Sequence, residues 1–224
     1  MTIKRIIEGV SEFQNNYFTA HQEMFQQLSL GQNPDILFIT CCDSRIDPNL
    51  MTQTQPGDLF IIRNFGNIIP PHSAVYSGEG ATLEYAILSL DIKHIVICGH
   101  SHCGSMKALL RLQEVNEEMP LVYNWLKIHG EPTRRLLKEN YTKYEGEELL
   151  KIAIQENVLT QIENLETYPI IRSRMHAGTI SLHAWVYEIE TGKIFAYDAS
   201  KGEYVVLDSD PFPVPNPLAM MQHK

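Results

Sequence analysis

Three short segments of this chain constrain its fold more than any other feature. Residues 36–40, 59–63 and 94–98 are rich in Ile, Leu, Val and Phe, and each is apolar on both faces. Strands of this kind are typical of parallel sheets covered by helices. The stretch 79–90, which contains alanine and leucine, lies between the last two segments and could form the crossover helix between them. The sequence therefore predicts an α/β fold with a central, mostly parallel β-sheet flanked by helices.

Helical periodicity appears on both sides of these strands. Apolar residues recur at helical spacing between positions 3 and 28, which predicts one or two N-terminal helices that end near Gly31. Further helices are expected at about 103–113 and at 147–165. The N-terminal helices therefore precede the first strand as a helical arm.

The C-terminal part of the chain predicts a hairpin followed by a tail. Residues 180–189 and 193–197 are joined across a Thr-Gly pair and predict a β-hairpin on the sheet edge. Prolines at every second position from 211 to 217 favour an extended tail. We divide the 224 residues into a helical arm (1–31), an α/β catalytic domain (32–207) and a proline-rich tail (208–224).

Charge and composition exclude several classes of protein. The chain has 18 Lys and Arg against 27 Asp and Glu, a net charge of −9, so it has no basic field for a phosphate backbone or an anionic membrane. Apolar runs are only a few residues long, whereas a membrane span needs about 20. The N-terminus has no apolar region of the signal-peptide kind. We therefore expect no nucleic-acid partner, no membrane association and a cytoplasmic location.

The four cysteines point to metal binding. Four are too few for a disulfide scaffold in a chain this long, and a reducing compartment would keep them as thiols. Cys98 lies inside an apolar segment and is expected to be an ordinary buried residue. Cys42 follows Cys41 directly, and strand alternation turns the two side chains apart. Cys41 and Cys103 are therefore the thiols to consider as ligands.

Cys41 opens a group of polar residues where the strand 36–40 ends. In an extended segment alternate side chains share a face, so Cys41, Asp43 and Arg45 can point the same way. The second group, Gly-His-Ser-His-Cys-Gly at 99–104, follows the strand 94–98. A helix starting there would place His100 and Cys103 on one side. Both groups follow the carboxyl ends of strands, where open α/β sheets place their sites.

Two cysteines and one histidine match the ligand set of a catalytic zinc ion. Such a site keeps a fourth position for water or substrate, and the ion can lower the pKa of bound water to about 7. The Asp43 carboxylate can accept a hydrogen bond from that water, and Arg45 can keep Asp43 ionised. The sequence therefore predicts a Zn²⁺ centre made by Cys41, His100 and Cys103.

These residues resemble the β-class carbonic anhydrases, whose motifs are Cys-x-Asp-Ser-Arg followed by His-x-x-Cys. The resemblance covers nearly the whole chain up to Tyr197. It implies that Cys41, His100 and Cys103 ligate zinc and that Asp43 and Arg45 form the catalytic dyad. The implied reaction is the reversible hydration of CO₂ to bicarbonate and a proton.

The resemblance also implies a small substrate pocket. The plant-like branch lines this pocket with a Gln nine residues before the first Cys ligand, and Gln32 stands there. Phe60 and Tyr85 match its aromatic residues, while Phe65 replaces a small apolar residue. The other branch has a regulatory bicarbonate pocket that uses a Trp where this chain has Phe38, so we expect no such allosteric site.

Three stretches, at 78–81, 99–104 and 120–127, resemble the carboxysomal β-carbonic anhydrases of cyanobacteria more closely. This resemblance implies a possible carboxysome location and a scaffold-protein partner, although the tail 208–224 is shorter than the extension those enzymes use for docking. The family also implies a homodimer or a larger even oligomer, such as a hexamer, with active sites at the dimer interface.

Two other functions stay open from the sequence. One is hydrolysis of CS₂ or COS, which relatives with this fold carry out. The other is a catalytically silent, zinc-containing protein that binds a shell. His102 and His72 could pass a proton to buffer, but a surface or hydrogen-bonded histidine is the more common role for such residues.

Overall fold

A computed structural model describes residues 2–72 and 77–208 of the chain. Two compact units are present: the first ends at Asn33 and the second begins at Pro34. The division into three segments stays a prediction. Apart from Asp208, the proline-rich tail lies outside the described residues.

The first unit is helical. Its elements are α1 (Ile3–Glu12), a π-helical turn (Phe13–Tyr17), α2 (Phe18–Ala20) and α3 (Gln22–Leu30). Aromatic rings pack together within it: the ring centroids of Phe13 and Phe25 lie 5.7 Å apart, and those of Phe18 and Phe25 lie 5.1 Å apart. The predicted N-terminal helices are confirmed.

The second unit is built on a sheet with six strands among the described residues. The strands are β1 (Ile36–Cys41), β2 (Leu59–Asn64), β3 (His94–His100), β4 (Ser181–Glu188), β5 (Lys193–Asp198) and β6 (Glu203–Val206). Their order is β2-β1-β3-β4-β5-β6, with parallel pairing from β2 to β4 and antiparallel pairing from β4 to β6. The predicted mostly parallel sheet is confirmed.

The β4–β5 hairpin forms, but its predicted place at the sheet edge is wrong. The β6 strand pairs with β5 and takes the edge, with Val205 opposite Ala196. The connecting turn is stabilised by Ser200, whose backbone N–H and hydroxyl both donate to the Asp198 carboxylate, at 2.9 and 2.6 Å. A strand of four residues is too short for its alternation to be recognised in the sequence.

Helices flank this sheet. They are α4 (Pro48–Thr52), α5 (Gly78–Leu88), α6 (Gly104–Leu110), α7 (Leu112–Val115), α8 (Pro120–His129), α9 (Glu131–Asn140), α10 (Gly146–Glu166) and α11 (Pro169–His176). The α5 and α10 helices confirm the helices predicted at 79–90 and 147–165. The helix predicted at 103–113 is two shorter ones, because Arg111 leaves the helical conformation with φ −115° and ψ 35°.

The main core lies between the sheet and several helices, which include α5, α6 and α10. Gly99 in β3 allows this close packing, because a Cβ at that position would lie 2.8 Å from Cγ2 of Val158. The other face of the sheet carries a smaller cluster in which Phe38, Val96 and Cys98 are buried. Burial raises the pKa of the Cys98 thiol to about 12, which agrees with the packing role expected from its segment.

Within the ranges 2–72 and 77–208, no helix combines the length and the apolar character needed to cross a bilayer.

Candidate metal centre

The first half of the site lies at the end of β1. Cys41 is the last residue of the strand and is buried, whereas Cys42 is exposed, as strand alternation predicts. The backbone N–H of Cys42 donates to the carbonyl of Asn64 in β2 at 2.8 Å. This bond extends the β1–β2 pairing one residue further and fixes the direction in which the chain continues to Asp43.

The second half of the site lies at the end of β3, and the helix expected to hold both its ligands is wrong. His100 is the last residue of the strand and is fully buried. Cys103 is the residue before the first turn of α6. A turn at Ser101 and His102 separates the two, with His102 in the left-handed region at φ 56°. His100 and Cys103 therefore converge through a strand–turn–helix rather than along one helix face.

The three predicted ligands come together. One ligand atom from each of Cys41, His100 and Cys103 lies within 4.8 Å of the others, and all three residues are buried. Nδ1 of His100 is 2.9 Å from the carbonyl oxygen of Ser101, so it carries the proton and donates. Nε2 is buried and has no hydrogen-bond partner among the described residues. A buried lone pair facing two sulfurs fits a bound metal ion.

A hydrogen bond joins the two sulfurs in this arrangement. It lowers the pKa of Cys103 and raises that of Cys41, where burial adds to the increase. The Ser105 hydroxyl lies 2.9 Å from Sγ of Cys103, and its hydrogen bond favours the thiolate. The backbone of Gly66 does the same for Cys41. The surroundings therefore favour a thiolate at Cys103, and a bound cation would favour the thiolate form of both cysteines.

The predicted dyad is also formed. Nε and Nη2 of Arg45 donate to the two carboxylate oxygens of Asp43, at 2.9 and 2.8 Å. The backbone N–H of Arg45 adds a third hydrogen bond at 3.0 Å. The guanidinium holds the pKa of the Asp43 carboxyl far below its usual range. The same carboxylate lies 3.9 Å from Nε2 of His100, so an ionised acceptor faces the centre.

Arg63 contacts the candidate centre and is not among the site residues predicted from the sequence. Its Nε donates to the carbonyl of Cys41 at 3.2 Å, and its Nη2 donates to the carbonyl of Asp43 at 2.7 Å. The Arg63 side chain thus holds the backbone at Cys41, a predicted ligand, and at Asp43. What could have indicated these contacts is the pairing of β1 with β2, which places Arg63 opposite Thr40.

The four predicted pocket residues have different surroundings. Phe60 and Tyr85 come together, with ring centroids 6.0 Å apart, and Tyr85 is 48% exposed. Phe65 packs against the main core, and its carbonyl accepts a hydrogen bond from the Trp125 indole at 2.9 Å. Gln32 is an exposed residue of the first unit. The pocket roles of all four stay predictions.

Three buried amide side chains on α10 form hydrogen bonds with the backbone of the segment that follows β2. Asn157 donates to the carbonyl of Gly66 at 3.0 Å. Gln161 accepts from the N–H of Ile69 at 2.9 Å, and Asn164 donates to the carbonyl of Ile69 at 2.9 Å. The three amides also bond to one another, at 3.1 Å in each case. This amide ladder fixes the segment whose backbone contacts Cys41.

Replacing Asn157 with alanine is expected to lower the free energy of unfolding by about 2 kcal/mol, because it leaves the buried Gly66 carbonyl and Gln161 amide without their partner. Denaturant unfolding of both proteins measures this loss. Asn140→Ala is the matched control, since Asn140 is an exposed helix residue whose side-chain amide donates to the carbonyl of Leu136 in its own helix. A loss at Asn157 no larger than that at Asn140 would contradict a structural role for the ladder.

Comparison with known proteins places this arrangement in a family. The model of the family described as carbonic anhydrase matches residues 36–194. A carbonic anhydrase of Synechocystis sp. is 55% identical over 207 residues, which are 92% of this chain and 75% of that protein. One from Synechococcus elongatus is 50% identical over 213 residues, which are 95% of this chain and 78% of that protein.

Solved structures show the same fold. The β-carbonic anhydrase CcaA superposes with a TM-score of 0.91 at 53% identity, covering 96% of this chain and 94% of that one. A tetrameric β-carbonic anhydrase of the ascomycete Sordaria macrospora gives a TM-score of 0.69 at 30% identity, covering 86% and 92%. Because sequence and fold agree over almost all of its length, this chain belongs to the β class of the carbonic anhydrases.

Proposed function

We propose that this protein catalyses the reversible hydration of CO₂ to bicarbonate and a proton with a zinc ion held by Cys41, His100 and Cys103. The observation that carries the proposal is the convergence of these three ligand atoms within 4.8 Å, together with Nε2 of the buried His100, which has no hydrogen-bond partner in the described part of the chain. Family membership supports the reaction, and the donor set supports the metal. When bound, zinc with such ligands acidifies a water so that a nucleophile is available near pH 7.

Asp43 and Arg45 orient the attacking water. A carboxylate that stays ionised can only accept hydrogen bonds, so Asp43 would accept one from an O–H of the attacking water and thereby direct an oxygen lone pair at the CO₂ carbon. Arg45 holds both carboxylate oxygens and fixes their direction. Arg63 secures the backbone on which Asp43 stands. These three residues would thereby fix the orientation of the attacking water.

The pocket assignment extends this proposal. The paired rings of Phe60 and Tyr85 and the side chain of Phe65 offer apolar surface suited to a small, uncharged gas molecule. Gln32 would hydrogen-bond a substrate oxygen from a neighbouring subunit of a homodimer or larger even oligomer. The tetrameric relative from Sordaria macrospora supports assembly into oligomers. The carboxysome location and scaffold partner rest on the resemblance of three short stretches.

Zinc content and CO₂ hydration rate, measured on one preparation at several pH values, test the proposal. We expect stoichiometric zinc and stopped-flow rates well above the buffer blank. A protein without zinc would overturn the proposed centre. A zinc-loaded protein at the blank rate, under both reducing and oxidising conditions, would favour the silent shell-binding alternative. Sulfide release from CS₂ or COS with negligible CO₂ hydration would favour the hydrolase.

A further inference from the structure

A carboxylate outside the predicted site contacts both residues between two of the ligands. Glu190 follows β4 in the chain and reaches the turn that joins His100 to Cys103. Its Oε2 accepts a hydrogen bond from the Ser101 hydroxyl at 2.6 Å, and its Oε1 lies 3.1 Å from Nε2 of His102. An ionised carboxylate accepts only, so His102 donates from Nε2. One side chain thus holds the whole linker between two ligands.

The linker itself has a backbone that needs support. His102 lies in the left-handed region at φ 56°, a conformation that is unfavourable for a residue with a side chain. Ser101 makes one hydrogen bond to β4 and one to the residue after it: its N–H donates to the Tyr187 carbonyl at 2.9 Å, and its hydroxyl accepts from the Ile189 N–H at 3.0 Å. Such a conformation persists only where surrounding bonds fix it.

The same linker also contacts the dyad. Nη2 of Arg45 donates to the carbonyl of His102 at 3.3 Å while it holds Asp43. A second carboxylate, Glu147, approaches Nδ1 of His102 at 3.5 Å, but its side chain is 73% exposed. Glu190 is therefore the group with two short hydrogen bonds to the linker.

We propose that Glu190 is a positioning residue of the metal centre: through Ser101 and His102 it holds His100 and Cys103 at the separation that retains a divalent cation. Glu190 touches neither ligand and no reacting group. This inference rests on the proposed function, because it assumes that the ligand set holds a metal. Groups that orient metal ligands through hydrogen bonds are typically worth about 10- to 100-fold in metal affinity.

The test measures the rate at which zinc-loaded protein loses its metal to an excess of a coloured chelator. Glu190→Ala is expected to release zinc about 10- to 100-fold faster than the wild type. Glu190→Gln is expected to lie closer to the wild type, since its amide oxygen and N–H can still bond to Ser101 and His102. Glu188→Ala is the matched control, because Glu188 lies two residues away and bonds to Thr191, not to the linker.

Thermal unfolding of the metal-free proteins separates positioning from general stability. We expect the Tm of metal-free Glu190→Ala to stay close to that of the metal-free wild type, while zinc raises its Tm less. Equal zinc-release rates in wild type and Glu190→Ala would overturn the inference. Zinc release from Glu188→Ala as fast as from Glu190→Ala would overturn it too. So would a fall in the Tm of metal-free Glu190→Ala as large as the fall seen with zinc bound. A wild-type chain that binds no zinc would overturn the proposed function as well, whereas the other outcomes leave it standing.

Discussion

Replacing Cys41 with serine is expected to remove the metal and to reduce CO₂ hydration to the buffer blank. A serine hydroxyl does not ionise near neutral pH, so the site loses one of its two sulfur anions. The expected drop in zinc affinity exceeds about 100-fold, because even groups that merely hydrogen-bond to metal ligands are worth about 10- to 100-fold. Zinc analysis and stopped-flow hydration on the same preparation measure both effects.

Cys42→Ser is the matched control for this change. Cys42 is the neighbouring residue, but it is exposed and does not belong to the group formed by Cys41, His100 and Cys103. We expect this variant to keep its zinc and its activity. Retention of zinc by Cys41→Ser at the wild-type level, or loss of zinc by Cys42→Ser, would contradict the ligand set.

The sheet and the grouping of Cys41, His100 and Cys103 could be predicted because each corresponds to a local pattern in the sequence. Residues 36–40, 59–63 and 94–98 are apolar on both faces, and a ligand group follows the first and the last of them directly. Parallel strands bring their carboxyl ends to one edge, so β1 and β3 carry Cys41 and His100 together.

The supporting residues could not be predicted, because their roles depend on contacts between distant parts of the chain. Asn157 reaches Gly66 only once α10 has packed across β3, which depends on the missing Cβ of Gly99. Arg63 reaches Asp43 because of the β1–β2 register. Glu190 is an ordinary acidic turn residue in the sequence, and only the fold places it against Ser101.

Removing the dyad is expected to separate activity from metal binding. Arg45→Ala and Asp43→Ala should each lower CO₂ hydration by about 100- to 1000-fold, the cost typical of losing a group that is prearranged for the reacting atoms. Zinc content should stay near the wild-type level, since neither residue belongs to the Cys-His-Cys set. Stopped-flow rates and zinc analysis on each variant measure the two quantities.

A higher pH is not expected to restore the Arg45→Ala variant. Arg45 holds the pKa of Asp43 below its usual range, so its removal raises that pKa toward the ordinary value of about 4. Asp43 therefore stays ionised at pH 7, and what the variant lacks is the fixed direction of the carboxylate rather than its charge. Arg134→Ala is the matched control, because Arg134 makes the same two-bond contact with Glu131 on α9, at 2.6 and 3.0 Å. Two results would show that Arg45 does not act by orienting Asp43. One is a CO₂ hydration rate of Arg45→Ala that returns to the wild-type rate between pH 7 and pH 9, and the other is an equal loss of rate in Arg134→Ala.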